Sequence, residues 1–125
     1  MSKRILVVED QDDNRRIVHD LLTSAGYEIL EALTGDEGVA MAEKYVPDLI
    51  VMDIQLPGID GYEATRQIKA KPGISKIPVI AVTSYAMSGD DTIALEAGCD
   101  AYFAKPYSPR ELLAKIREYV PAGPE

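Results

Sequence analysis

Four short apolar runs of the chain each end in a residue type that phosphoryl or metal chemistry uses. In chain order these residues are Glu9 with Asp10, Asp53, Thr83 and Lys105. Short apolar runs separated by helix-like segments are typical of buried parallel strands. In an open parallel sheet, ligands bind just beyond the carboxyl ends of the strands. We therefore expect these side chains to converge on one small site.

The three acids in this set predict a metal site. Two carboxylates about 5 Å apart repel each other by roughly 3 kcal/mol at an effective dielectric near 20, and one lysine does not balance three of them. Oxygen ligands without nearby His or Cys favour Mg²⁺, or Mn²⁺, over zinc. We expect Asp10 and Asp53 to bind the ion directly and Glu9 to bind it directly or through water. The backbone carbonyl of Gln55 is well placed to contribute.

Asp53 is also a candidate nucleophile. A carboxylate can attack a phosphoryl group and form an acyl phosphate. Such transfer depends on positioning and on neutralising the phosphoryl oxygens, for which the metal, the Lys105 ammonium and the Thr83 hydroxyl are available. The alternative is that these acids only cap the helices that follow. It is weak for Asp53, because a loop of several residues follows and Asp60 is available as the cap.

The elements that must position these residues alternate between strand and helix five times. Strands are predicted near residues 4–9, 28–32, 48–53, 78–83 and 100–104. Helices are predicted near 13–25, 35–45, 60–70, 88–97 and 108–120. Five such units cannot close an eight-stranded barrel, so we expect a doubly wound, five-stranded parallel α/β sheet with two helices on one face and three on the other. The strand at 28–32 suits an edge of the sheet.

Helix ends are marked by residues that cap them. Most starts show an N-cap residue followed by an acid three positions later: Thr34 and Glu37, Asp60 and Glu63, Ser88 and Asp91, and Ser108 and Glu111. Asp12 or Asp13 is expected to cap the first helix, while Gly26 and Gly98 are placed to end helices. An apolar stripe in the last helix predicts core packing: Leu112, Leu113, Ile116 and Val120.

Composition predicts a soluble cytoplasmic domain. The chain has 125 residues and a net charge of -8, and this acidity disfavours direct nucleic-acid binding. The pairs Lys3-Arg4 and Arg15-Arg16 are interpreted as solvated surface. No run approaches the roughly 20 apolar residues of a membrane span, and no cleavable signal is visible. The single Cys99 fits a reducing cytosol, and the single His19 leaves no basis for a His/Cys zinc site.

The chain resembles the receiver domains of two-component response regulators, which are CheY-like in fold, and is similar to single-domain DivK-like regulators. The resemblance covers residues 3–120 and rests on four motifs: Val8-Glu9-Asp10, the run from Met52 to Gly61, Thr83-Ser84, and Lys105-Pro106. It implies a receiver domain over residues 1–120 and the strand order 2-1-3-4-5. It also implies a cis peptide bond before Pro106. The Pro- and Gly-containing run over 121–125 cannot continue a helix and predicts a short flexible tail.

The resemblance further implies a function. Asp53 would accept a phosphoryl group from a sensor histidine kinase or a histidine phosphotransfer protein, with magnesium held by Asp10 and Glu9. Thr83 and Lys105 would contact the phosphoryl group. The protein would catalyse only its own phosphorylation and slow dephosphorylation, so it is not expected to be an enzyme.

The signal is expected to leave through the fourth helix, the fifth strand and the fifth helix. Thr83 would move toward the phosphoryl group, and the ring of Tyr102 would turn inward; the alternative is a tyrosine that only packs on the sheet edge. Tyr85, Met87 and Tyr107 would give this face an aromatic, adaptable character. The face would bind a downstream protein or support a homodimer, or phosphate would pass onward.

Three other classes compete with a receiver. A haloacid-dehalogenase-like phosphatase needs a second aspartate two residues after its nucleophile, where this chain has Gln55. A flavodoxin-like flavin protein needs a phosphate-cradling loop, but the loop at 9–13 is acidic. A pseudo-receiver is disfavoured by the complete residue set. Within a receiver, Gln55 and Tyr85 occupy positions that tune hydrolysis of the acyl phosphate.

Overall fold

The computed structural model describes residues 3–83, 90–105 and 108–121. Within these ranges, five strands and five helices alternate. The strands are β1 (Arg4–Val8), β2 (Glu28–Ala32), β3 (Leu49–Asp53), β4 (Val79–Thr83) and β5 (Ala101–Ala104). The helices are α1 (Asp12–Ser24), α2 (Gly35–Tyr45), α3 (Gly61–Lys69), α4 (Asp90–Ala97) and α5 (Pro109–Tyr119).

The strands form one parallel sheet in the order β2-β1-β3-β4-β5. The predicted doubly wound sheet and its strand order are confirmed. Every residue of β3 and β4 is buried, as expected for apolar strands covered on both faces. β2 lies at one edge, as predicted, and β5 lies at the other with its four residues only half-buried.

Two apolar clusters cover the two faces of the sheet. Side chains of α1 and α5 pack on one face, and side chains of α2, α3 and α4 pack on the other. The predicted division into two and three helices is therefore confirmed. The stripe of α5 reaches the core as expected, since Leu112, Ile116 and Val120 are buried and Leu113 packs against the same cluster.

Capping side chains begin three of the helices as predicted. Thr34, Asp60 and Ser108 each accept a hydrogen bond from the backbone amide three residues later, at 3.0, 2.9 and 3.4 Å. Gly26 and Gly98 follow α1 and α4 with φ of +96° and +104°, a backbone conformation that glycine adopts without steric cost.

The predicted cap of α1 is wrong. The N-cap is Gln11, whose side chain makes no capping hydrogen bond, and Asp12 and Asp13 lie inside the first turn. The Asp12 carboxylate instead pairs with the Arg15 guanidinium one turn along the helix. α1 therefore begins without a side-chain cap. The two acids in its first turn still interact favourably with the helix dipole.

Three predictions about the fold fall wholly or partly beyond the described residues. They are the Ser88 cap, the cis peptide bond at Pro106, and the tail over 121–125, of which only Pro121 is described. Within the described ranges, no helix is both long and apolar enough to cross a membrane.

Candidate functional site

The carboxyl edge of the sheet places the predicted residues next to one another. Asp53 is the last residue of β3 and pairs in register with Val82. Thr83 is the last residue of β4, and its carbonyl accepts a hydrogen bond from the Lys105 amide at 2.7 Å. Glu9 directly follows β1. Adjacent parallel strands that end together bring residues far apart in sequence to one edge.

Three carboxylates meet at this edge. Glu9, Asp10 and Asp53 each offer an oxygen, and these oxygens lie within 4.8 Å of one another. The Glu9 and Asp53 residues are 5% and 2% exposed, while Asp10 is exposed. An oxygen-only set open to solvent on one side suits a hard divalent cation that retains some of its water. The acidic cluster can therefore hold a metal ion.

Lys105 lies between the two buried acids. Its ammonium nitrogen is 3.1 Å from a Glu9 carboxylate oxygen and 3.4 Å from an Asp53 carboxylate oxygen. Its side chain is 17% exposed, so solvent screens these pairs only in part. One ammonium faces two buried carboxylates, with Asp10 close by, and the site is left with excess negative charge.

The pKa of Asp53 reflects this imbalance. Burial, and after it a hydrogen bond to Glu9 and the Glu9 charge, raise this pKa from 3.8 to about 7. The Lys105 charge and the hydrogen bond from the Gln55 amide act the opposite way but do not compensate. A carboxyl group in this setting gains from an additional cation, because positive charge favours its ionised form.

Gln55 contacts both the Asp53 carboxylate and the Thr83 hydroxyl. Its backbone amide donates to an Asp53 carboxylate oxygen at 3.3 Å, and its side-chain amide donates to the Thr83 hydroxyl oxygen. The predicted role of the Gln55 carbonyl in metal binding stays a prediction. The side-chain contact from Gln55 to Thr83 was not predicted, because the sequence carries no local signal for it.

Gly61 allows the loop after Asp53 to fold back on itself. The Gly61 amide donates to the Ile54 carbonyl at 3.0 Å. A Cβ atom at this position would lie 2.3 Å from the Asp53 carbonyl oxygen. Only glycine therefore permits this close approach of α3 to the end of β3.

Arg15 is a second residue whose contacts were not predicted from the sequence. Its guanidinium donates to the Glu9 backbone carbonyl at 3.0 Å and pairs with Asp12, and its side chain is only 16% exposed. The interpretation of Arg15-Arg16 as solvated surface is wrong for Arg15 and holds for Arg16, which is exposed. The spacing of Asp12 and Arg15 on one helical face was the available signal.

The predicted output face is described only in part. Tyr102 is half-buried and packs against the cluster on the α2, α3 and α4 face. Tyr85, Met87 and Tyr107 lie outside the described residues, as does Ser84 of the Thr83-Ser84 motif.

A doubly wound sheet with strand order 2-1-3-4-5 and an acidic pocket at its carboxyl edge defines the CheY-like class of the flavodoxin fold. The chain belongs to the response regulator receiver domain family, whose sequence model matches residues 5–117. It is thus a receiver domain of two-component signalling and DivK-like in sequence. Receiver domains of this kind are signalling proteins that interact with histidine kinases and downstream targets, and they are not classical enzymes.

Individual relatives agree with this assignment. The polar-differentiation response regulator DivK of Brucella ovis is 40% identical over 120 residues, which cover 96% of this chain and 98% of that protein. The receiver domain of a Pseudomonas aeruginosa sensor histidine kinase, whose structure has a magnesium ion coordinated in the active site cleft, is 37% identical with a TM-score of 0.88 over 95% and 98% of the two chains. The chemotaxis protein CheY4 of Vibrio cholerae is 25% identical with a TM-score of 0.89 over 96% and 100%.

Proposed function

We propose that this protein is a single-domain response regulator of a cytoplasmic two-component or phosphorelay system, with Asp53 as its phosphoacceptor. The donor is a sensor histidine kinase or a histidine phosphotransfer protein. The observation that carries the proposal is the position of the Asp53 carboxylate: it is buried, it belongs to the three-acid cluster, and it lies 3.4 Å from the Lys105 ammonium. A nucleophile, a candidate metal site and the positive charge of Lys105 are thus adjacent.

Mg²⁺, or Mn²⁺, is the proposed cofactor. The ligands are Glu9, Asp10, Asp53 and the backbone carbonyl of Gln55. The excess negative charge of the described site and its oxygen-only donor set support this choice. When bound, the ion supplies positive charge to the Asp53 carboxylate and to the incoming phosphoryl oxygens.

Side chains of the protein carry out the remaining steps of the transfer. A carboxylate oxygen of Asp53 attacks phosphorus, the P–N bond of the donor phosphohistidine breaks, and its electron pair leaves with the imidazole nitrogen. Lys105 then pairs with a phosphoryl oxygen. Gln55 in place of the second aspartate of a haloacid-dehalogenase-like phosphatase provides no acid or base for rapid turnover.

The signal then passes from the site to the face formed by α4, β5 and α5. The Thr83 hydroxyl moves toward the phosphoryl group, and the Tyr102 ring turns inward in response. The proposed output is binding of a separate protein, homodimerisation through the same face, or onward phosphotransfer. Direct binding of nucleic acid or membrane is not part of the proposal, because the chain is acidic.

Phosphorylation by a small phosphodonor tests the proposal. The wild-type protein, incubated with Mg²⁺ and acetyl phosphate, is expected to gain the mass of one phosphoryl group in intact-protein mass spectrometry. Asp53→Asn is expected to gain none, and chelation of Mg²⁺ is expected to abolish the gain in the wild type. Asp20→Asn, which alters an exposed acid on α1, is the matched control and should be labelled normally. Equal labelling of Asp53→Asn and wild type would overturn the assignment.

A further inference from the structure

The contact between Gln55 and Thr83 has a defined polarity. The Gln55 side-chain nitrogen is the donor and the Thr83 hydroxyl oxygen is the acceptor. A carboxamide nitrogen carries donors only, whereas a hydroxyl has one proton and two lone pairs. The hydroxyl thus uses a lone pair in this bond, and its proton takes no part in it.

Thr83 lies where that proton matters. Its residue is 1% exposed, so its hydroxyl depends on groups of the protein rather than on bulk water. The same Gln55 that contacts this hydroxyl is tied through its backbone amide to the Asp53 carboxylate. The loop directly after β3 therefore links the acceptor carboxylate to the hydroxyl at the end of β4.

We infer that Gln55 is a positioning residue that keeps the Thr83 hydroxyl oriented as a hydrogen-bond donor as it moves toward a phosphoryl group on Asp53. The inference rests on the proposed function. It assigns to the Gln55 side chain a role that is separate from metal binding and from accepting the phosphoryl group. Hydrogen bonds in series polarise one another, so an amide donating to the hydroxyl oxygen also makes the hydroxyl a better donor.

Two substitutions of Gln55 separate polarity from packing. Gln55→Met keeps the length of the side chain and removes the donor. Gln55→Glu reverses the bond, because a carboxylate only accepts and therefore takes the single proton of Thr83. Gln67→Met, a glutamine on α3 that bonds to Glu63 instead, is the matched control.

Binding of beryllium fluoride with Mg²⁺, a stable mimic of the phosphoryl group, is the measurement. We expect the mimic to bind Gln55→Met about 2- to 10-fold more weakly than wild type, the effect of one neutral hydrogen bond. Gln55→Glu should weaken binding more than about 10-fold, since a charged acceptor competes for the proton. Gln67→Met should bind as wild type does.

A double-mutant cycle tests whether Gln55 acts through Thr83. In a Thr83→Val background, Gln55→Met should no longer change the affinity, while in a Thr83→Ser background its effect should return. The side-chain amide signals of Gln55 in NMR spectra of the metal-free protein should shift in Thr83→Val and be retained in Thr83→Ser. This last readout needs no phosphoryl mimic.

The possible failures are distinct. If the wild type binds the mimic and Gln55→Met binds it equally well or more tightly, the inference is wrong and the proposed function stands. The inference is also overturned if Gln55→Met weakens binding of the mimic equally in the wild-type and the Thr83→Val backgrounds. If the wild type binds no mimic, the proposed function fails, and the inference fails with it.

Discussion

Replacing Asp53 by asparagine should change how stability depends on pH. The wild-type carboxyl has its pKa raised to about 7, chiefly by burial and then by Glu9, against 3.8 in its ordinary setting. A raised pKa means that the folded protein binds the proton more tightly than the unfolded chain does. The stability that this proton confers is therefore complete below pH 3.8 and is lost as pH rises through 7.

The magnitude follows from the two pKa values. One pKa unit corresponds to about 1.4 kcal/mol. Between about pH 5 and about pH 8, the metal-free wild type should lose roughly 2 to 3 kcal/mol of unfolding free energy through this group. The asparagine of Asp53→Asn cannot ionise and has nearly the same shape. The variant should therefore not lose this part of its unfolding free energy as pH rises.

Urea denaturation in the presence of a chelator, at both pH values, measures the effect. The difference in unfolding free energy between Asp53→Asn and wild type should grow in favour of the variant as pH rises. The exposed Asp20→Asn is the control and should differ from wild type by less than about 0.5 kcal/mol at either pH. A difference that is constant with pH, or that grows in favour of wild type, would refute the electrostatic description of the pocket.

Three further predictions concern the same fold and site. Lys105→Met removes the charge that lowers the pKa of Asp53, so that pKa should rise further in carboxyl NMR titrations of the metal-free protein; an unchanged or lower pKa would contradict the pairing. Gly61→Ala forces a methyl group against the Asp53 carbonyl and should cost about 2 kcal/mol or more in urea denaturation. Gly73→Ala, with no atom within 4 Å of the new Cβ, is its control, and equal costs would contradict the steric argument. Tyr27→Phe deletes a buried hydrogen bond to the backbone carbonyl at the end of α5 and should cost about 1 to 3 kcal/mol, whereas no measurable cost would mean that water replaces the partner.

The order and type of the elements could be predicted because the apolar runs are short, strong and separated by helices with clear caps. The predicted strands extend past those observed by no more than one residue at either end. The cap at the start of α1 was predicted wrongly, because Asp12 and Asp13 lie where a capping residue is expected. Asp12 pairs with Arg15 instead, and a sequence pattern does not show which of two local partners a carboxylate takes.

The acidic cluster could be predicted because strand ends in a parallel sheet must share an edge. Glu9, Asp10 and Asp53 needed only correct strand boundaries to be placed together. The contacts of Arg15 and Gln55 could not be placed in the same way. Both depend on which way a long side chain turns once the helix or loop that carries it has packed.

The partial burial of β5 affects how easily this edge of the sheet is displaced. This strand pairs with a single neighbour and none of its four residues is fully buried, unlike the strands at the centre. Pulling it away breaks one ladder of hydrogen bonds. Its amides should therefore exchange with deuterium ahead of those in β3, which pairs with a neighbouring strand on each side.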